Sequence, residues 1–364
     1  MKSLVCVKDF EAEAFDVLNK NARNYFKSGA DDELTVRKNG EAFSRLLIRP
    51  RMLRDVSTRK LKKNILGKSI QFPVGVAPTA FQSLVHPTAE IESAKAAAST
   101  GTIFVLSTFS NWSIEDVGNA APGGRKWFQL FPNTEKKITL DLITRAENAG
   151  FEAIVITLDA QNFGKKRDIM REPFKLPENL KMANFEKYQT SDKSAEDIGE
   201  FVHSTLAQDM TWDTISWIRS NTNLPVILKG ILNPQDAALA VQHNVAGVWV
   251  SNHGGRQIDT AIPSIDALPD VVQAVGGKCE VYVDSGIRRG SDVFKALALG
   301  ADMVFVGRPT IWGIAVCGEN GAKRVLEILR EELDLTMALS GVADVHDITL
   351  DHVQRKKSNA MSKL

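Results

Sequence analysis

The sequence predicts an α/β fold of the TIM (β/α)8 barrel type, with an N-terminal helical cap and a long loop after the fourth strand. Two observations carry this expectation. Short apolar runs of strand length alternate with amphipathic stretches of helix length, which implies parallel strands joined by helices. The runs number eight within about 240 residues, the count and span of a closed barrel. A doubly wound sheet is the alternative, but no G-x-G-x-x-G opens the first unit, which weakens a dinucleotide-binding reading.

Residues 1–70 read as the helical lead-in. Phe10, Ala14, Phe15 and Leu18 recur at helical spacing, and the stretch through Tyr25-Phe26 stops near Ser28-Gly29. Ala42-Phe43 and Leu46-Leu47 continue the helical pattern as far as Arg49-Pro50-Arg51.

The barrel is expected over 71–320. Its strands read as Val74–Ala77, Ile103–Ser107, Lys126–Leu130, Ala153–Leu158, Pro225–Lys229, Gly247–Ser251, Val281–Asp284 and Met303–Val306. Amphipathic stretches between them include Ala89–Ala98, Leu140–Ala149, Thr211–Arg219, Pro234–His243 and Ser291–Leu299. The connection from Gly164 to about Met210 is out of proportion and rich in Lys, Asn, Glu, Asp and Ser. Loops of that length are commonly lids or disordered.

Ala322–Leu339 reads as a long amphipathic helix, packed on the barrel or on a partner subunit, within a C-terminal segment 321–361. Ser362-Lys363-Leu364 is a peroxisomal address read by an import receptor. The whole of 1–364 is expected to form one domain.

Composition narrows the class. With 43% apolar and 24% charged residues the chain reads as globular, and a net charge of +1 suggests no nucleic-acid or membrane surface. Cys6, Cys279 and Cys317 have neither metal spacing nor a disulfide framework, which suits a reducing compartment. Lys8, Asp9, Glu11, Glu13 and Asp16 rule out reading the first residues as a signal peptide. No apolar run approaches membrane-spanning length.

The most informative stretch is Val248–Asp259, V-W-V-S-N-H-G-G-R-Q-I-D. A buried strand stops at Ser251, and Gly254-Gly255 lets the chain turn so that His253 and Arg256 can share one cavity. A histidine can take a proton near neutral pH, and an arginine can grip a carboxylate with two parallel hydrogen bonds. That pair suits a small hydroxy acid.

S-N-H-G-G-R-Q-I-D closely resembles the active-site signature of the FMN-dependent 2-hydroxy acid oxidase family, which includes glycolate oxidases and long-chain hydroxy acid oxidases. The resemblance spans nearly the whole chain. It implies that Arg256 and Tyr25 hold the substrate carboxylate. His253 takes the 2-hydroxyl proton as the Cα hydrogen leaves as hydride, and Asp159 pairs with His253. Oxygen then reoxidises the flavin, giving a 2-oxo acid and hydrogen peroxide, a product that suits the peroxisome. The resemblance further implies a homo-oligomer, a tetramer or larger.

Barrel logic places a phosphate site after strands seven and eight. Those strands end in Asp284-Ser285-Gly286-Ile287-Arg288-Arg289 and Gly307-Arg308-Pro309, small residues and arginines suited to a phosphate. Both pieces look like the family's FMN phosphate loops. Ser285 stands where the family commonly has glycine, and its hydroxyl can donate to phosphate. Pro78-Thr79-Ala80 resembles the family's stretch beside the flavin ring. Ser107, Gln129, Thr157 and Ser251 are hydrogen-bonding types at strand ends, and Lys229 supplies a cation that would stabilise negative charge on a reduced flavin.

Three positions depart from the family. Gln129-Leu130-Phe131 replaces a usual Gln-Leu-Tyr, removing a hydroxyl that helps to hold substrate. Gly164-Lys165-Lys166 replaces Gly-Arg-Arg, so Lys166 keeps a charge but loses the guanidinium fork. Phe109 stands where short-chain oxidases often carry tryptophan, which implies room for a medium or long apolar substrate. Two alternatives therefore stay open: a weakened or silent FMN-binding member, and a dehydrogenase using another electron acceptor. An FMN barrel acting on a phosphorylated substrate is disfavoured, because it has no evident use for the base and carboxylate clamp.

Overall fold

The computed structural model describes residues 4–188 and 204–356. Eight parallel strands close into a barrel: β1 (Val74–Val76), β2 (Ile103–Leu106), β3 (Arg125–Leu130), β4 (Ile154–Thr157), β5 (Val226–Ile231), β6 (Gly247–Val250), β7 (Glu280–Val283) and β8 (Met303–Val306). Val304 of β8 pairs with Val74 of β1 and closes the ring. The fold is the TIM barrel that the alternation predicts. These strands are apolar on both faces because side chains fill the barrel inside and helices cover it outside. Trp127, Trp249, Tyr282 and Phe305 pack the interior, with Trp249 and Phe305 stacked at 4.0 Å between ring centroids.

The outer helices are α4 (Ala89–Thr100), α5 (Ile114–Ala120), α6 (Lys136–Asn148), α8 (Trp212–Ser220), α9 (Pro234–Gln242), α10 (Ser264–Val275), α11 (Gly290–Ala298) and α12 (Arg308–Leu339). Before the barrel come α1 (Val7–Val17), α2 (Lys20–Lys27) and α3 (Leu34–Ser44). Helix α2 and the turn after it bring Tyr25, Phe26 and Ser28 to the C-terminal mouth of the barrel, where arginines from β6 and β8 bond their carbonyls.

The structure corrects the lead-in. Leu46-Leu47 does not extend α3; Leu46–Ile48 is a strand pairing antiparallel with Val353–Arg355. Leu46 is buried and Leu47 exposed, the period of two that a half-buried strand requires. Lys63–Ile65 and Lys68–Ile70 form a hairpin rather than helix. Its turn, Leu66-Gly67, has positive φ at both residues (49° and 73°), the geometry that suits a two-residue hairpin. Ile65 and Ile70 join the cluster filling the barrel interior.

The expected C-terminal helix at Ala322–Leu339 is the second part of α12, which starts at Arg308 and breaks at Cys317-Gly318, where Gly318 has φ 56°. The connection after β4 is not bare loop. It holds the short helix α7 (Arg167–Arg171) and a 3-10 turn, Ala183–Tyr188, whose Asn184 and Phe185 are buried. Ser362-Lys363-Leu364, read from sequence as a peroxisomal address, lies outside the described residues.

Candidate active site

The C-terminal strand ends surround an open-mouthed cavity with about 910 Å³ of empty space, counting the solvent at its mouth. Of the residues singled out from sequence, Tyr25, Pro78, Thr79, Ala80, Ser107, Gln129, Phe131, Thr157, Lys229, His253, Arg256, Asp284, Ser285, Gly286, Ile287, Arg288, Gly307 and Arg308 line it. Asp159, Ser251, Lys166 and Phe109 do not line it; Asp159 and Ser251 bond His253, which does, and Phe109 stacks on Phe131, which does.

His253 is set by its local backbone. It follows β6 with φ 57°, and Gly254 and Gly255 are also left-handed, so three successive residues turn tightly. Asn252 holds that turn. Its Oδ1 accepts from the Gly255 N–H at 3.1 Å, and its amide pairs reciprocally with buried Asn39 of α3 at 2.7 and 2.9 Å. Asp259 accepts from the N–H groups of Thr35 and Asp32, which docks α3 on the same loop. Gln257 Nε2 donates to the carbonyls of Asp159 and Asn162. The non-reacting residues of S-N-H-G-G-R-Q-I-D thus fasten the loop to two neighbours.

The His253 Nδ1–H donates to Asp159 Oδ1 at 2.8 Å, leaving Nε2 as the acceptor. Burial pulls the imidazole below its ordinary range; Asp159 opposes this, while Lys229 and Arg256 reinforce it. The free site therefore holds a neutral base at neutral pH. Burial works to raise the Asp159 carboxyl, but His253 and Lys229 outweigh it and keep it low.

Arg256 Nη1 donates to the carbonyls of Tyr25 and Ser28 at 2.8 and 2.9 Å. Among the described residues this is its hydrogen bonding, so the Nε–Nη2 edge is left for a carboxylate. Burial pushes the Tyr25 hydroxyl upward, so it stays a donor. Lys166 Nζ donates to the Gly164 carbonyl at 3.1 Å. Burial and the charges of Arg256 and Arg308 push this lysine down to about 7.

Lys229, on β5, donates to Ser251 Oγ at 3.0 Å and lies 3.3 Å from Asp284 Oδ2. Ser251 donates to Asp284 Oδ1 at 2.6 Å and accepts from the His253 N–H, which explains its burial beneath the cavity rather than in its wall. The Ser285 hydroxyl, which sequence reasoning sends to a phosphate, is already committed: it donates to Asp284 and accepts from the Gly254 N–H. Those bonds hold Ser285 at φ 78°, a conformation glycine would adopt freely.

Arg308 bonds the carbonyls of Phe26, Gly254 and Ser28, and burial lowers it to about 9. Among the described residues no carboxylate pairs with Arg256, Arg288 or Arg308. These arginines are half-buried, and Glu11, Glu33 and Asp292 act on Arg288 and Arg308 only through space, so the cluster favours an anionic ligand. Phe26, Ala77, Gly254, Phe305 and Val306 also line the cavity and were not foreseen. Phe26 had no signal, since its carbonyl is what Arg308 holds; Val306 was legible as the end of β8.

A family model for FMN-dependent dehydrogenases matches residues 14–355. The chain belongs to this family. It is 46% identical to human 2-hydroxyacid oxidase 2, covering 97% of this chain and 99% of that one. Identity is 42% to glycolate oxidase 3 of Oryza sativa subsp. indica, covering 97% of each. A mandelate oxidase mutant with (S)-mandelic acid matches with TM-score 0.89 at 40% identity, covering 98% of this chain and 99% of that chain. The family's cofactor is FMN and its chemistry the oxidation of 2-hydroxy acids.

The residues present fit FMN. Gln129 Nε2 is buried in the cavity wall with no hydrogen-bond partner, a donor waiting for a ligand acceptor. Arg288 and Arg308 lie together after β7 and β8, where the fold receives phosphate. A Cβ at Gly307 would meet Thr79 Oγ1 and Ala77 Cβ only at ordinary van der Waals distance, 3.5 and 3.9 Å, on the wall of the same cavity.

Proposed function

We propose that this enzyme oxidises (S)-2-hydroxy acids of medium or long chain to 2-oxo acids, with oxygen as the final acceptor and hydrogen peroxide as product. The observation that carries the reading is the pairing of a neutral, Asp159-held His253 with the open edge of Arg256 in one cavity. Arg256 and Tyr25 receive the substrate carboxylate, helped by the Lys166 charge behind them. His253 Nε2 takes the 2-hydroxyl proton, and Asp159 stabilises the imidazolium that results. FMN bound in this cavity would supply the acceptor for the hydride that leaves Cα. Lys229, Gln129, Ser107 and Thr157 offer cation and hydrogen-bonding groups to its ring, with Pro78, Thr79 and Ala80 as the facing wall. Arg288, Arg308 and the backbone of Ser285–Ile287 and Gly307 receive its phosphate.

The apolar side of the cavity supports the longer substrates. Phe131 stacks on Phe109, and Phe109 on Phe81, so the wall behind the substrate offers rings and no hydroxyl at position 131. A relative's ligand, (S)-mandelic acid, is itself a 2-hydroxy acid with an apolar group. Ser362-Lys363-Leu364 supports a peroxisomal destination through the import receptor, and the resemblance supports a tetramer or larger.

Anaerobic mixing of the yellow protein with 2-hydroxy acids of rising chain length tests the reading. Bleaching that quickens with chain length, with colour and peroxide appearing on admission of air, is expected. A flavin that never bleaches makes this a silent binder; bleaching without recovery in air points to another acceptor.

A further inference from the structure

Glu90, in the first turn of α4, is the buried carboxylate that the reaction does not use. Its exposure is 0%, and among the described residues it has no cationic partner. It is satisfied by donors instead. Oε1 accepts from the main-chain N–H groups of Gln82 and Asn111, both at 3.0 Å, while Oε2 lies 3.3 Å from the Ser83 hydroxyl, which shares its one hydrogen with the Pro87 carbonyl at 3.0 Å. Burial pushes its carboxyl upward, against the donors of Asn111, Gln82 and Ser83. A buried carboxylate without a cation is costly, so its retention calls for a reason.

The second observation is strain. Phe81 has φ 57° and ψ 42°, the left-handed region, which is a true outlier for a bulky aromatic. Such a residue persists where its surroundings over-determine it. Here they do. The Phe81 N–H donates to the Phe109 carbonyl at 3.1 Å, and the next N–H along, that of Gln82, is the one Glu90 holds. Gln82 in turn donates from Nε2 to the Thr79 carbonyl at 3.3 Å and accepts from Ser93 at 2.6 Å. Thr79 and Ala80 line the cavity, and the Phe81 ring packs edge-on against Tyr25 at 5.7 Å.

We infer that Glu90 is a positioning residue: by clamping the loop after β1 to the loop after β2, it holds Phe81 in its strained conformation. It thereby fixes the Pro78–Ala80 wall against which the flavin is seated. Glutamine at 90 would keep the same oxygen for both main-chain donors and place its amide toward Ser83, so it should preserve the wall. Leucine would strand both N–H groups in an apolar site and release Phe81.

The test uses the purified holoenzyme, read by visible circular dichroism of its flavin, flavin midpoint potential and the split between kcat and KM. Glu90→Leu should change the flavin dichroism, shift the potential and lower kcat, on the order of tenfold to a hundredfold for a displacement near 1 Å. Glu90→Gln should stay within about twofold of the parent, the small change expected when hydrogen bonds are kept. Gln82→Met, which frees the Thr79 carbonyl but keeps the carboxylate, should give a smaller shift of the same kind. It decides the matter if Glu90→Leu does not fold. A folded Glu90→Leu with parental dichroism, potential and kcat overturns the proposal, whatever its melting temperature. So does a Gln variant that behaves like Leu.

The proposal rests on this cavity being the flavin seat, and Lys229→Ala separates the two ideas. If the dichroism responds to Lys229→Ala but to neither Glu90→Leu nor Gln82→Met, the proposal alone fails. If it responds to none of the three, the seat itself is misassigned.

Discussion

Asp159 Oδ1 and His253 Nδ1 stand 2.8 Å apart, with the carboxylate on the far side of the imidazole from Nε2. The carboxylate fixes one tautomer and raises the proton affinity of a ring that burial has lowered. Asp159→Asn removes the charge but leaves a group that can still bond the ring. We expect kcat to fall by about a hundredfold, within the range of general-base contributions. The acid limb of kcat/KM should move to lower pH, because the group that raised the imidazole is gone. Steady-state rates between pH 5 and 9 check both; an acid limb that stays put or moves upward contradicts the assignment.

Lys166 sets a second pH dependence. Its ammonium, pushed down to about 7 by burial and by Arg256 and Arg308, is charged below that value and lost above it. A phosphate bound near Arg308 would offset part of that repulsion, so the limb in the holoenzyme should lie at or above 7. KM for an anionic substrate should therefore rise on the alkaline side, with kcat changing less. Lys166→Arg keeps its charge throughout this range and should flatten the rise. KM measured across pH 6 to 9 for both proteins decides it.

The barrel was legible because strands buried on both faces read as apolar runs, as those beginning at Val74, Ile103 and Met303 do. The site was legible where chemistry sits in side chains: His253, Arg256, Lys229 and Arg308 line the cavity as expected. It was not legible where backbone does the work. Nothing in the residue type of Phe26 or Ser28 announces that their carbonyls hold Arg308. The hairpin at Lys63–Ile70 was hidden because Leu66-Gly67 puts a leucine where Asn or Asp is the usual sign. Ser285 shows the remaining limit: its hydroxyl was rightly read as a donor, but the nearer Asp284 carboxylate claims it.

Arg308 joins the cap to the barrel as well as facing the phosphate end. Its guanidinium reaches Phe26, Gly254 and Ser28 at once, which a single ammonium cannot copy. Arg308→Lys should purify with less flavin and bind added FMN about tenfold or more weakly, a loss near 1.4 kcal/mol. The absorbance ratio at 450 and 280 nm, followed by FMN titration of stripped protein, measures this. Parental flavin content would show that the fork is dispensable.

Phe131 and Phe109 are stacked at 5.3 Å, so a change at one is felt through the other. Phe131→Tyr adds a hydroxyl facing the cavity, which gives a polar substrate oxygen a partner. About 1.4 kcal/mol, within the range for one such bond, would raise kcat/KM for glycolate roughly tenfold. Phe109→Trp acts by volume. Phe109 is buried between Phe81, Phe131 and Phe185, so a larger ring has to push Phe131 toward the cavity. Activity on long-chain 2-hydroxy acids should fall while activity on glycolate holds. Rates for glycolate and for 2-hydroxyoctanoate on both variants give the comparison. If Phe109→Trp slows the two substrates equally, chain-length preference is not set by this wall.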